Sequence, residues 1–472
     1  MVATVTTDTK QLVVEKLIED LQADSNNYYL GIGKSDAWNE TDTAPTSITD
    51  IETTKRDFRD NLQSIQKIAS VSFVAKRYNW SSGTIYQPYR DNQTSAQNGQ
   101  YYVITESNRV YICLRQGKNA LTGDTNTSTV NPDTTGTTTS PVKTSDGYVW
   151  KFLFTQSATR LSAFATSNFI PVEKVTETSG LSNIRQSQKD VQDAAAAGQI
   201  VGYRVTSNGT GYTSAPTITV NGNGSNARAV ATVVGGSVVA VNVDDSAGGF
   251  PFGAGYDHAS VTSSGGGGGS GLVVKPIISK GGIGADPRDD LKSTSIMFNS
   301  KLVGEAGSGD FLVGTGADFR QVGILKNPKI PTSRSSADSD FTATTGSALR
   351  ILTVGSGANP GANLNDIAVD NVISQGGTEP KARAYVDKNT AIVAGTSATL
   401  LYHQNENTGF VPFTVGGDPL LDSADNDNTG TIVSDSDAEV DPFSGDLLYV
   451  ESRAAVERTT AGTEDIKITI QF

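Results

Sequence analysis

Apolar residues recur at helical spacing near the start of the chain. Leu12, Val13, Leu17, Ile18 and Leu21 fall on one face of residues 8–23, and Thr6, Thr7 or Asp8 can cap the start. An extended run, YYLGIG, follows at 28–33. A second helix is predicted around 50–68, where Ile51, Phe58, Leu62 and Ile65 share a face. From Val71 the pattern turns to strands: SVSFVAKRYNW, YYVIT, RVYICLR and GYVWKFLF are rich in β-branched and aromatic residues and are separated by polar loops. Residues 119–144 are nearly all Thr, Ser, Asn, Gly and Asp, with Pro132 and Pro141, and read as a long exposed loop. A third helix is predicted near 181–197, ending in AAAAG with Gly198 as its stop.

The texture then changes. Residues 200–262 read as short Val/Ile/Thr strands punctuated by glycine, and Gly235-Gly236 inside ARAVATVVGGSVVAVNV is a hairpin signal. SNGTGYTSAP at 207–216 is echoed by SAGGFPFGAGY at 246–256, which suggests a small self-contained β module. The run from Gly265 to Gly269 follows as a flexible connection or a tight crossing. Strands resume with LVVKPIIS, STSIMFNSKLV and DFRQVGILKNP. A Gly, Ser, Asn and Asp-rich block with short apolar runs reads as a second β insertion. The chain closes on DLLYVESRAAVERTTAGTEDIKITIQF, two strands around a loop, with Ile466, Ile468 and Ile470 alternating into Phe472. The expected organisation is mainly β. Framework segments span 1–199, 263–332 and 443–472, a Gly-rich module 200–262, and a second β insertion 333–442.

At 472 residues the chain is long enough for about three domains. Lys plus Arg number 37 and Asp plus Glu 50, a net charge of −13, which disfavours a broad surface for nucleic-acid phosphates. The single cysteine, Cys113, excludes an internal disulfide framework and a Cys-based zinc site; with His258 and His403 alone, a multi-His metal centre is excluded too. MVATVTTDTK has no apolar core of signal-peptide length, and no run reaches the ~18 consecutive apolar residues of a membrane span.

GIGKS at 31–35 echoes a phosphate-binding loop, but Tyr28 stands where the first glycine belongs, and a strand end and turn is the simpler reading. Gly33-Lys34-Ser35-Asp36-Ala37 lacks the second glycine of a nucleophile elbow. A Ser-His-Asp triad would need His258 or His403, each expected at the surface or in a turn. Asp425, Asp427 and Gly430 match positions one, three and six of a calcium loop, but Ser436 stands where a bidentate Glu is needed, and a solvated turn-rich loop is expected at 422–430. Trp80, Tyr86, Tyr89, Tyr101 and Tyr102 read as strand packing, and Lys76, Arg77 and Arg90 are too few for a nucleic-acid groove. Catalytic, cofactor-binding and metal residues are therefore expected to be none, and the chain is expected not to be an enzyme.

Several strings nevertheless stand out in order: YYLGIGKSDAWN at 28–39, SVSFVAKRYNW at 70–80, DGYVWKFLF at 146–154, DFRQVGILKNP at 318–328, and the closing GDLLYVESRAAV and EDIKITIQF. Together they resemble the baseplate wedge proteins of T-even-type contractile-tail phages, and among them the gene-eight-type dimeric wedge subunits. The resemblance covers the framework at 1–175, 275–330 and 443–472. It implies a layered β-sandwich framework with a few helices in excursions. It also implies a homodimer that joins other baseplate wedge proteins, in a virion tail baseplate assembled in the host cytoplasm. No membrane, nucleic acid, cofactor or small-molecule substrate is implied. The 200–262 and 333–442 insertions are longer than that pattern. A receptor-binding or adhesion protein is the alternative, and a tail-associated glycan hydrolase the third reading; the hydrolase would need two carboxylates in one cleft.

Overall fold

The computed structural model describes residues 5–46, 50–91, 100–303, 311–312, 317–331, 339–355, 367–376, 381–393, 397–422, 428–459 and 462–472. Strands take 44% and helices 13%, so the chain is mainly β, as its alternating runs predict. It divides into two compact units, one of residues 1–16, 71–298 and 469–472, the other of 17–70 and 299–468.

In the first unit the aromatic runs form an antiparallel sheet in the order Tyr102–Ile104, Arg109–Arg115, Val149–Thr155, Val142–Lys143. Its buried face carries Tyr86, Tyr111, Tyr148, Trp150 and Phe152, closed over by Val191 of the helix Asn183–Asp193. Trp150 stacks on Tyr148 at 5.8 Å and meets Tyr86 edge-on at 5.5 Å. Such pairs add about 0.5–1.5 kcal/mol beyond the area they bury, and they explain the aromatic cluster as packing. Cys113 lies in the same core, and burial pushes its thiol well above the usual range.

The expected exposed loop at 119–144 is only partly so. Leu121 is exposed, but Ser128 and Pro132 are buried, and the Asp146 carboxylate accepts the Thr129 and Val130 N–H groups at 2.8 and 3.0 Å. Polar side chains here replace a ladder of strand bonds, which composition alone does not reveal.

The Gly-rich module forms as a β structure. Gly235 and Gly236 turn with φ of 59° and 79°, joining Ala229–Val234 to Ser237–Val243 in a two-residue hairpin. The sheet order is Ser237–Val243, Ala229–Val234, Thr217–Gly222, Ala259–Ser264. Gln199–Thr210 pairs along its length with Ser270–Ser279, so the module's strands run past 262 into residues expected to belong to the next framework segment. The preceding helix stops at Asp193, with Ala194 as its cap, short of the predicted 197. Gly198 still makes the turn: at φ +66° its missing Cβ would sit 2.4 Å from the Tyr256 nitrogen. The last strand, Thr463–Gln471, joins a sheet in the order Thr463–Gln471, Ser295–Val303, Ser70–Lys76, Phe169–Val172. Its end is tied by the Phe472 N–H donating to the Thr294 carbonyl at 3.2 Å and by Lys10 Nζ donating to the Phe472 carbonyl at 2.8 Å.

The first helix runs Thr7–Gln22, as its spacing predicts, but Leu12 and Val13 are 52% and 45% exposed, and Val14 is its buried residue. The second helix is shorter than predicted. It occupies Ile51–Asp60, capped by the Asp50 side chain on the Thr53 N–H, and Leu62–Lys67 is a strand. Tyr28–Gly33 pairs with it on one side and Thr345–Ser347 with residues 64–66 on the other, and this pairing overrides the helical spacing of Phe58, Leu62 and Ile65.

In the second unit that strand lies inside a five-stranded antiparallel sheet: Thr345–Ser347, Leu62–Lys67, Tyr28–Gly33, Asp318–Lys326, Asp446–Glu457. Tyr29, Phe58, Leu62, Ile65, Leu325 and Phe341 form its core. The second insertion is a closed six-stranded barrel, ordered Arg350–Gly355, Ser397–His403, Ala382–Val393, Val372–Gln375, Leu420–Asp422, Asn428–Ser436. Leu352, Val354, Ile373, Leu400, Leu420 and Ile432 fill it, and along Ser397–His403 every second residue is buried. Thr345–Ser347 belongs to the framework sheet, so the insertion proper starts later than residue 333.

Candidate functional site

The site lies within the second unit, where the end of the framework sheet meets one rim of the barrel, and encloses about 320 Å³. Three pieces of chain build it.

The first is the turn after Tyr28–Gly33. A Cβ on Gly33 would lie 2.3 Å from the Asn61 carbonyl oxygen, so only glycine lets the strand pass there. Lys34 follows at φ +65°, with its N–H donating to the same carbonyl at 3.0 Å. The buried Arg320 guanidinium fixes this turn. It donates to the Ser35 carbonyl and grips both oxygens of Asp42, at 2.6 and 2.8 Å. That grip holds the Asp42 carboxyl below its ordinary range. The GIGKS string is thus a strand end and a turn, as expected, and no helix follows it.

The second piece is the barrel rim. Val386 pairs with Tyr402 and Lys388 with Leu401, so Asp387 is the extra residue of a β-bulge. A bulge re-aims a side chain. Here it turns the buried Asp387 carboxylate onto His403, with Nδ1 to Oδ2 at 2.7 Å, while Ser35 Oγ donates to Oδ1 at 3.3 Å. The Tyr385 ring stacks on the imidazole at 5.5 Å and 23°. His403 is therefore not a surface or turn histidine, as expected from sequence, for its side chain is 11% exposed. Burial disfavours its charge, but the Asp387 carboxylate and its hydrogen bond outweigh burial and raise its pKa.

The third piece is the C-terminal end of Ile51–Asp60. Asp57 accepts from Gln321 Nε2 at 2.7 Å and from Asn61 Nδ2 at 3.2 Å. Asp60 accepts the Glu406 N–H through Oδ2 at 3.3 Å, while its buried Oδ1 has no hydrogen-bond partner. Burial, aided by Glu406 and Asp57, raises the Asp60 pKa.

Ser35, Asp387 and His403 do come together, but in an order unlike a hydrolase triad. The carboxylate sits in the middle, and the serine hydroxyl donates to it and not to the imidazole. A triad needs the base bonded to the nucleophile, so this geometry does not take the proton from Ser35.

The other sequence candidates lie elsewhere. His258 is an exposed turn residue whose N–H donates to Asn223 Oδ1 at 3.3 Å. Of the calcium-loop candidates, Asp425 and Asp427 lie outside the described residues, Gly430 is in a barrel strand, and the buried Asp422 accepts from Asn371 Nδ2. Among the described residues no group of three or more His, Cys, Asp or Glu is placed to hold a metal ion. Sequence reasoning missed Asp57, Asp60 and Asp387. For Asp387 a signal existed: in ARAYVDKN the alternation slips by one at Val386-Asp387, the mark of a bulge. Compared with profiles of known protein families and with curated protein sequences, the chain matches none of them.

Proposed function

We propose that the chain is a structural component of a contractile phage tail baseplate, a wedge subunit that forms a homodimer and links neighbouring wedge proteins during assembly. The observation that carries this reading is where the resembling strings lie. YYLGIG, DFRQVGILK and DLLYVESRAAV are three consecutive neighbours of one sheet, although some 290 and 120 residues separate them along the chain. SVSFVAK and EDIKITIQ share a second sheet, and GYVWKFLF supplies the central strand of the aromatic sheet. These strings are thus strands drawn together from distant parts of the chain, as a shared framework requires.

The strand Asp446–Glu457 lies at an edge of its sheet with Leu448 half exposed, an arrangement suited to contact with another chain. An obligate dimer of this kind buries upward of roughly 2,000 Å². A receptor-binding role is the second reading, favoured by the exposed aromatic pair Phe410 and Phe443, whose rings meet edge-on at 5.6 Å; binding on a glycan array would support it.

Light scattering of the purified chain at micromolar concentration is expected to give a dimer mass, and a monomer mass would overturn the dimer. In an electron-microscopy map of an intact virion tail the chain is expected in the baseplate; density elsewhere would end the wedge reading.

A further inference from the structure

The cavity beside His403 carries unbalanced charge. Its lining includes Asp36, Asp57, Asp60, Asp370, Asp387 and Glu406. Lys34 answers Asp36 at 2.7 Å, Arg56 answers Glu406 at 3.1 Å, and His403 answers Asp387 at 2.7 Å. Among the described residues no cation forms a salt bridge with Asp57, Asp60 or Asp370; Arg56 acts on Asp60 and Arg320 on Asp370 only through space.

Asp60 is the sharpest case. The residue is 8% exposed, lines the cavity, and keeps one carboxylate oxygen buried with no donor. Buried carboxylate oxygens almost always have a donor, because leaving water without replacement is costly. Asp57 and Asp60 also occupy the last turn of Ile51–Asp60, the negative end of the helix, where carboxylates are disfavoured and a positive charge is welcome.

The shape narrows what that positive charge is. About 320 Å³ is far more than one metal ion fills and lies at the small end of ordinary ligand pockets. The described carboxylates are not clustered for metal coordination. The stacked Tyr385 and His403 rings form part of the wall, and an aromatic face suits an alkyl chain or a flat guanidinium.

We propose that this cavity binds an organic cation, a guanidinium or a primary ammonium on a short alkyl chain, with Asp60 as its principal carboxylate. The inference goes beyond the assembly reading and stands without it. Two sources carry that chemistry: an arginine or lysine side chain of another protein, and a free polyamine.

Calorimetric titration of the full chain with propylguanidinium chloride, against sodium chloride of equal ionic strength, tests it. One saturable site is expected, weakened about tenfold by Asp60→Asn, which keeps an acceptor for the Glu406 N–H, and only about twofold by Glu406→Gln at the exposed rim. Non-saturable heat, or equal affinity in Asp60→Asn, overturns the proposal. Should that variant fail to fold, a crystal of the unaltered protein grown with propylguanidinium decides. The cation within hydrogen-bond distance of Asp60 supports the site, and a cavity without it overturns the site. Spermidine and an acetyl-Gly-Arg-Gly-amide peptide then separate the sources: the tighter of the two names the natural one, and binding of neither at millimolar concentration counts against the proposal.

Discussion

Burial pulls the His403 proton off and Asp387 holds it on, with Asp36 adding to the hold and Lys34 opposing it. The hold wins, so the folded pKa stands above the unfolded value near 6.5. A group shifted upward contributes stability that is fully present below the unfolded pKa and is lost as pH rises through the folded one. His403→Gln keeps a donor for Asp387 without the charge. Denaturant melts are expected to show the unaltered protein more stable than this variant by about 2 kcal/mol at pH 5.5, with the gap shrinking by pH 9. A gap that grows toward pH 9 would mean that the imidazole is neutral throughout. Little at this scale could be read beforehand. The cavity's carboxylates come from positions 36, 57, 60, 370, 387 and 406, and no spacing rule joins residues brought together only by a sheet and a barrel.

The elements fared better, and their failures have physical causes. The hairpin at Gly235-Gly236 was legible because its signal is local: two positive φ angles demand two glycines. The spacing over Leu62–Lys67 reads as helix because it is local, whereas the partners that make it a strand, Tyr28–Gly33 and Thr345–Ser347, lie elsewhere in the sequence and outweigh it. The first helix lies where its spacing puts it and its face only in part: Leu17, Ile18 and Leu21 are half-buried, whereas Leu12 and Val13 point largely to solvent. At Gly33 the crossing of two backbones leaves no room for a methyl group. Gly33→Ala is expected to cost at least about 2 kcal/mol by chemical denaturation, because the obstacle is the backbone carbonyl of the helix cap Asn61 and not a side chain that can swing away. Gly281→Ala meets no atom within 4 Å and should stay within about 0.5 kcal/mol. Equal effects at the two sites would show that the crossing relaxes freely.

At the scale of the molecule, the mainly β class was legible from texture, because alternation and glycine punctuation persist over many residues. Closure of the second insertion into a barrel was not, since no single strand records that the first and last will pair. That closure bears on the order of events as the protein is made. Every barrel strand comes from one contiguous stretch, Arg350 to Ser436, whereas the host sheet must bring Tyr28–Gly33 beside Asp318–Lys326 and wait for Asp446–Glu457. Joining distant segments costs more chain entropy and slows folding. The barrel is therefore expected to mature while its host sheet is still open. Pulsed hydrogen exchange during refolding should protect the amides of Leu352, Leu400 and Ile432 before those of Leu30 and Ile324, and the reverse order would refute this. On the ribosome, the strand Asp318–Lys326 then waits with a bare edge until Asp446–Glu457 emerges some 120 residues later, at about 5–20 residues per second, and in that interval the nascent chain is most exposed to mispairing with its neighbours.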